Sequence, residues 1–181
     1  MNHRKELDSA EVSTSSRADP TATLAEKLAL IEAEREINQL VHDYAVLCDQ
    51  AYAPDGLTEL FTEDATWSSR SKDGAIDFGL HRGRREIHDF FASISADLGP
   101  MTLHYLLTPR IDVAPDCQSA SGHWYLLAIL DRRPAGALTG SAERERIVLG
   151  GTYEHDYRKV DGRWLISRLA CDITLQAPFP S

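Results

Sequence analysis

The 181-residue chain carries 19 Lys and Arg against 28 Asp and Glu, a formal net charge of −9. That balance excludes the phosphate-neutralising surface of a general nucleic-acid binder, and no apolar run approaches the ~20 residues of a membrane span. With 43% apolar residues, the length suits a single domain with a proper core and a tail.

Residues 1–23 mix charge with Ser, Thr, Asp and Pro and are expected to form a disordered tail, leaving 24–181 as one domain. The N-terminus has no apolar h-region, so no signal peptide is expected. Cys48, Cys117 and Cys171 are odd in number and form no C-x-x-C pair, which points to a reducing, cytoplasmic compartment. Leu24 to Tyr52 reads as a long helix, because Ile31, Ile37, Leu40, Val41, Tyr44, Ala45 and Cys48 recur at three- and four-residue intervals. Asp49 projects from the border of that apolar face, near a helix end that Pro54 enforces, where the macrodipole disfavours a carboxylate. Such a placement either faces water at a frayed end or marks a site.

Asp55 is placed to cap a short second helix carrying Leu57, Leu60 and Phe61. Asp64–Arg70 and Ala75–Leu80 read as strands joined by a turn at Lys72-Asp73-Gly74. Arg84 to Leu98 reads as a third helix, stopped by Gly99-Pro100. Long strands are then expected over 101–113, 120–130, 146–160 and 163–175, the last two joined by Asp161-Gly162. The polar, Gly/Pro-containing segment 131–145 reads as an excursion between strands and a candidate lid. Helices followed by a run of long strands predict an α+β fold, with the helices in the concave face of a curved, mostly antiparallel sheet.

Three stretches carry a resemblance: LVHDYAVLCDQA with LTELFTEDATW, then HRGRREIHDFF, then GTYEHDYRKVDGRWLISRL. Their order and spacing resemble the SnoaL-like branch of the nuclear transport factor 2-like superfamily, near scytalone dehydratase and the bile-acid dehydratases. The resemblance implies a cone-shaped α+β barrel whose sheet wraps the long helix around a pocket. It also implies a histidine at the start of the third strand paired with an aspartate on the first helix, positions that His104 and Asp49 fit. Tyr44 fits the tyrosine of the bile-acid dehydratase type, and Arg168 fits an arginine that reaches the pocket.

The chemistry of that set is coherent. A histidine oriented by a carboxylate can remove a proton beside a carbonyl, for about 10²–10⁴-fold of rate, and a phenol can stabilise the enolate. Dehydration, isomerisation and cyclisation all begin this way. The reading is therefore a cofactor-independent lyase or isomerase acting on a small hydrophobic carbonyl-bearing ring compound, with Asp49, His104 and Tyr44 catalytic. The superfamily also contains small subunits of aromatic-ring dioxygenases and ligand-binding modules, which stand as alternatives. Arg168 is expected to share a face with Trp164 and Ile166 and to bind substrate. His123 and Trp124 point to opposite faces, so at most one lines the pocket, and 120–130 lacks the Asn or Asp that dehydratases offer there. Tyr153, His155 and Tyr157 share one face, either pocket lining or outer surface. No histidine spacing suggests a metal site, and no Gly-rich phosphate loop is present. The resemblance further implies a homodimer through the outer sheet face, with Tyr125 or Tyr153 among its aromatics.

Overall fold

A computed structural model describes residues 23–99, 102–134 and 144–179. Residues 1–22 of the expected 1–23 tail, Pro100, Met101 and most of the 131–145 excursion lie outside these residues, whereas Thr23 belongs to the first helix as its cap. Among the described residues, three helices, α1 (Leu24–Asp49), α2 (Pro54–Thr58) and α3 (Gly83–Ser95), accompany six strands. The strands are β1 (Phe61–Ser71), β2 (Asp77–Arg82), β3 (Leu103–Val113), β4 (Ser119–Arg132), β5 (Glu145–Val160) and β6 (Arg163–Pro178).

The helix α1 starts where its sequence offers a capping box. The Thr23 side chain accepts from the Glu26 backbone N–H, and the Glu26 carboxylate accepts from the Thr23 backbone N–H. Ala33, Ile37, Leu40, Val41, Tyr44 and Cys48 form its buried face. It ends at Asp49, three residues earlier than expected, because Ala51 and Tyr52 turn into the left-handed region at φ +57° and +53°. The Tyr52 and Ala53 N–H groups return to the carbonyls of Cys48 and Leu47, satisfying two of the carbonyls that a helix end leaves free. An alanine held left-handed is strained by roughly 1–2 kcal/mol, partly offset by the flexibility that glycine brings to the unfolded chain. Ala51→Gly is accordingly expected to stabilise the fold by up to about 1 kcal/mol, read as a higher urea midpoint at unchanged slope.

The second helix is opened by Pro54 at its first position and has no side-chain cap; Asp55 sits inside the first turn rather than capping it. The sheet order is β2-β1-β6-β5-β4-β3, with β1 and β6 parallel and every other pair antiparallel. The sheet is curled but not closed into a barrel, since β2 and β3 end the order without meeting. Its inner face carries Trp124, Leu126, Ala128 and Leu130 of β4 and Leu149, Tyr153, His155 and Tyr157 of β5, all buried. The buried face of α1 packs into this surface: the Tyr44 ring lies 6.3 Å from the rings of both Tyr153 and His155. Gly122 on β4 has no room for a side chain, because a Cβ there would stand 3.0 Å from Trp124 Nε1 and 3.1 Å from the Tyr157 hydroxyl. At the Asp161-Gly162 turn both residues have positive φ, as a tight two-residue hairpin requires.

Two register shifts decide which side chains reach the interior. One lies in β5 at Gly150-Gly151 opposite Leu175 and Ile173. The other sets Asp156 against Arg168 but Tyr157 against Ile166, leaving Ser167 as an extra residue in β6. That bulge breaks the simple alternation from Trp164 onward. Trp164 and Ile166 stay inside while Arg168 turns to the outer face.

Candidate active site

Asp49 is the last residue of α1, and β3 crosses this helix end with His104 facing inward. His104 pairs across the sheet with Ala128 of β4, whose small side chain leaves space beside the imidazole. Its Nδ1 lies 3.0 Å from Asp49 Oδ1, and the His104 side chain is 3% exposed against 30% for Asp49. The carboxylate accepts the Nδ1–H, which in the neutral imidazole fixes the tautomer and leaves Nε2 with the lone pair.

That lone pair has a partner which sequence reasoning missed. The Tyr52 hydroxyl lies 2.7 Å from His104 Nε2. Its ring meets the imidazole edge-on, with centroids 5.3 Å apart, and rests on Phe91 at 5.7 Å. Since Nε2 carries no proton in this tautomer, the phenol donates. Burial pushes the Tyr52 pKa well above its usual value, so it remains a phenol. The signal available in the sequence was spacing: Tyr52 lies four residues after Cys48 and three after Asp49, on the extension of the buried helix face.

His104 and Tyr52 open onto an apolar cavity of about 50 Å³ lined also by Trp67, Leu126, Leu130 and Tyr153. Such a volume holds about one or two waters, less than a ring compound fills. Phe78 of β2, 37% exposed, and Phe90 and Ile94 of α3 contribute to the same lining, and Phe90 stacks on His81 with centroids 4.3 Å apart. Farther round, Cys171, Ser69 and Tyr153 line the cavity together. Burial raises the Cys171 thiol to about 11, so it is no ready nucleophile.

The remaining candidates separate. Tyr44 is fully buried but does not line the cavity; its hydroxyl accepts from Trp67 Nε1 at 3.3 Å. Trp124 is buried and donates from Nε1 to the Tyr157 hydroxyl at 3.1 Å, also away from the cavity lining. His123 lies on the outer face beside Tyr125, their ring centroids 5.5 Å apart. Arg168 is outside as well, donating to Asp156 at 2.6 Å and to Glu154 at 3.5 Å. The expected face shared with Trp164 and Ile166 is thus corrected by the bulge at Ser167. Tyr153 alone of the four expected substrate-binding residues reaches the cavity. Among the described residues, no three His, Cys, Asp or Glu side chains cluster closely enough to hold a metal ion, and no helix is long and apolar enough to cross a membrane.

The SnoaL-like domain family matches residues 29–170. Among solved structures, a scytalone dehydratase-like protein of Novosphingobium aromaticivorans DSM 12444 is 23% identical with a TM-score of 0.68, over 86% of this chain and 93% of that one. Hexachlorocyclohexane dehydrochlorinase LinA-type3 from Novosphingobium barchaimii LL02 is 18% identical with a TM-score of 0.67, over 86% and 95%. A nuclear transport factor 2-like superfamily protein from Salmonella enterica serovar Typhimurium LT2 is 16% identical with a TM-score of 0.62, over 81% and 94%. At these identities the likeness shows the fold alone. No curated protein matches the sequence. With its family domain spanning most of the chain, the protein belongs to the SnoaL-like family.

Proposed function

We propose that this protein is a cofactor-independent lyase or isomerase, of dehydratase or cyclase type, acting on a hydrophobic carbonyl-bearing ring compound. The observation that carries the reading is the 3.0 Å contact of Asp49 with His104 at the wall of an apolar cavity. His104 Nε2 takes a proton from the carbon beside the carbonyl, and Asp49 stabilises the imidazolium that results. The enolate then expels a β-hydroxyl, takes back a proton elsewhere, or attacks a second carbonyl. Structural neighbours named as a dehydratase-like protein and a dehydrochlorinase support elimination chemistry on this scaffold. Proton removal is tested directly by incubating the protein in heavy water with a panel of enolisable cyclic ketones and following deuterium uptake by mass spectrometry. Protein-dependent uptake is expected for at least one ketone; uptake that survives unchanged in His104→Ala ends the reading of His104 as the base, and no uptake with any ketone leaves a binding module.

Assembly belongs to the same proposal. On the outer face, Leu103, Tyr105 and Leu107 of β3 stand in register with Ile129, Leu127 and Tyr125 of β4. Five of these six are exposed, Tyr125 by 55%, forming a contiguous apolar patch. Tyr153, expected beside Tyr125, is instead buried on the inner face. A second copy covers the patch through a two-fold axis. Light scattering at micromolar concentration is expected to give twice the chain mass, and Leu127→Glu to give the monomer.

A further inference from the structure

The placement of Tyr52 poses a chemical problem for His104 as a base. A neutral imidazole has one lone pair, and here it points at a hydroxyl 2.7 Å away. A lone pair that accepts an O–H cannot also accept a carbon-bound proton. The base is therefore capped as long as Tyr52 holds this position. The cap is built rather than incidental. Two consecutive residues without glycine's freedom, Ala51 and Tyr52, adopt positive φ and turn the chain just past the helix end, where the Tyr52 ring lies between Phe91 and His104.

We propose that Tyr52 is the residue that recognises a substrate oxygen, and that its exchange of hydrogen-bond partner uncaps His104. The proposal rests on the reading of His104 as the base. When a carbonyl enters the cavity, the Tyr52 O–H leaves Nε2 and donates to the carbonyl oxygen. One hydrogen bond replaces another, and the Nε2 lone pair becomes available beside the carbon next to that carbonyl. The proton passes from carbon to Nε2, the C–H electron pair moves into the enolate, and the phenol stays protonated while stabilising the enolate oxygen. Burial, which holds the Tyr52 pKa high, suits it to donate a hydrogen bond rather than to ionise. The role that the family pattern assigns to Tyr44 thus passes to Tyr52, since the Tyr44 hydroxyl is engaged by Trp67 and does not line the cavity.

The consequence concerns substrate class. A ligand with an acceptor oxygen restores the bond it displaces. A hydrocarbon or halocarbon of the same shape leaves either a capped base or an unpaired buried hydroxyl, a difference of roughly tenfold to hundredfold in affinity. The chain should accordingly favour carbonyl compounds over halogenated rings, unlike a neighbour named for its action on hexachlorocyclohexane.

The experiment uses the full chain labelled with ¹⁵N and reads the His104 ring nitrogens by long-range proton–nitrogen correlation, assigned with His104→Ala. Tyr52→Phe removes only the hydroxyl and is expected to move the Nε2 resonance while leaving Nδ1 protonated. Cyclohexanone added to the wild-type protein is expected to move Nε2 in the same direction. Methylenecyclohexane, matched in shape but lacking the oxygen, is expected to bind at least tenfold more weakly, and in Tyr52→Phe that preference is expected to vanish. An unchanged Nε2 signal in Tyr52→Phe, or a ketone that moves it no more than the hydrocarbon does, overturns the proposal. Because the readout needs no turnover, it separates from the catalytic reading: a ketone that uncaps His104 without deuterium uptake leaves Tyr52 as an oxygen-recognising residue in a binding site.

Discussion

Asp49→Asn is expected to slow proton abstraction from a carbonyl substrate by about 10²–10⁴-fold while the fold stays intact. The amide keeps the shape of the carboxylate but loses its charge. It can also donate to Nδ1, which moves the ring proton to Nε2 and removes the lone pair that does the chemistry. Neither a neutral Asn nor the wrong tautomer can support a developing imidazolium. Stability should change little, because the Asp49 side chain is 30% exposed and the amide still hydrogen-bonds with Nδ1. His104→Ala is expected to lose at least as much rate. The measurement is deuterium uptake by the best ketone, with urea unfolding of each variant as the control for fold. Uptake at wild-type rates in both variants would sink the catalytic reading, whereas a comparable rate loss with unfolding midpoints preserved assigns the effect to the site.

The elements most legible in the sequence were those whose periodicity a single buried face dictates. Over Ala120 to Leu130 the burial alternates strictly, even-numbered residues inward, but Trp124 to Leu130 is apolar at every position, so the strand was legible and its inward face was not. Ile37, Leu40, Val41, Tyr44 and Cys48 keep helical spacing and form the buried stripe of α1. The pairing of β1 parallel to β6 is a different matter, since it joins segments about 100 residues apart and leaves no local trace. Arg168 shows how alternation fails. One extra residue at Ser167 reverses the parity of β6, and no Gly or Pro announces it. The outer position then satisfies the guanidinium with Asp156 and Glu154, a pairing visible only once β5 and β6 are in register. Tyr52 failed for a related reason. Left-handed turns are read from Gly or Asn, and Ala51-Tyr52 offers neither, so the helix was expected to run on through the residue that in fact turns to meet His104. Asp49 and His104 could be placed together because a family pattern specified both strand and helix positions. Their third partner belongs to no such pattern.

Acid sensitivity of the fold should be governed in large part by His155. This residue is fully buried on the inner face of β5, and its pKa is lowered to about 3, first by burial and then by the Arg168 guanidinium. The Tyr157 hydroxyl accepts from Trp124 Nε1 at 3.1 Å and donates to His155 Nδ1 at 2.8 Å. The ring proton therefore resides on Nε2, which has no partner. The native state thus holds His155 neutral, while the unfolded chain protonates it near pH 6.5. Between those two values the unfolded state binds one more proton, so stability is fully present above about pH 6.5 and falls as the pH drops toward 3. From pH 7.5 to 5 the loss from this group is about 2 kcal/mol, or roughly 4–8 °C in Tm for a domain of this size. His88 works in the opposite direction: Asp55 and then Asp89 raise its pKa, a contribution present at low pH and lost as the pH rises, but the pair is exposed and weak. Asp64, lowered by Thr62 and Arg158, loses its contribution only below the carboxylate range. His155→Asn separates these effects, because its side-chain oxygen still accepts from Tyr157 and does not titrate. Thermal unfolding of both proteins at pH 7.5 and 5 is expected to show the wild-type difference shrinking by about 2 kcal/mol in the variant, and an equal pH dependence in the two would mean that acid acts elsewhere.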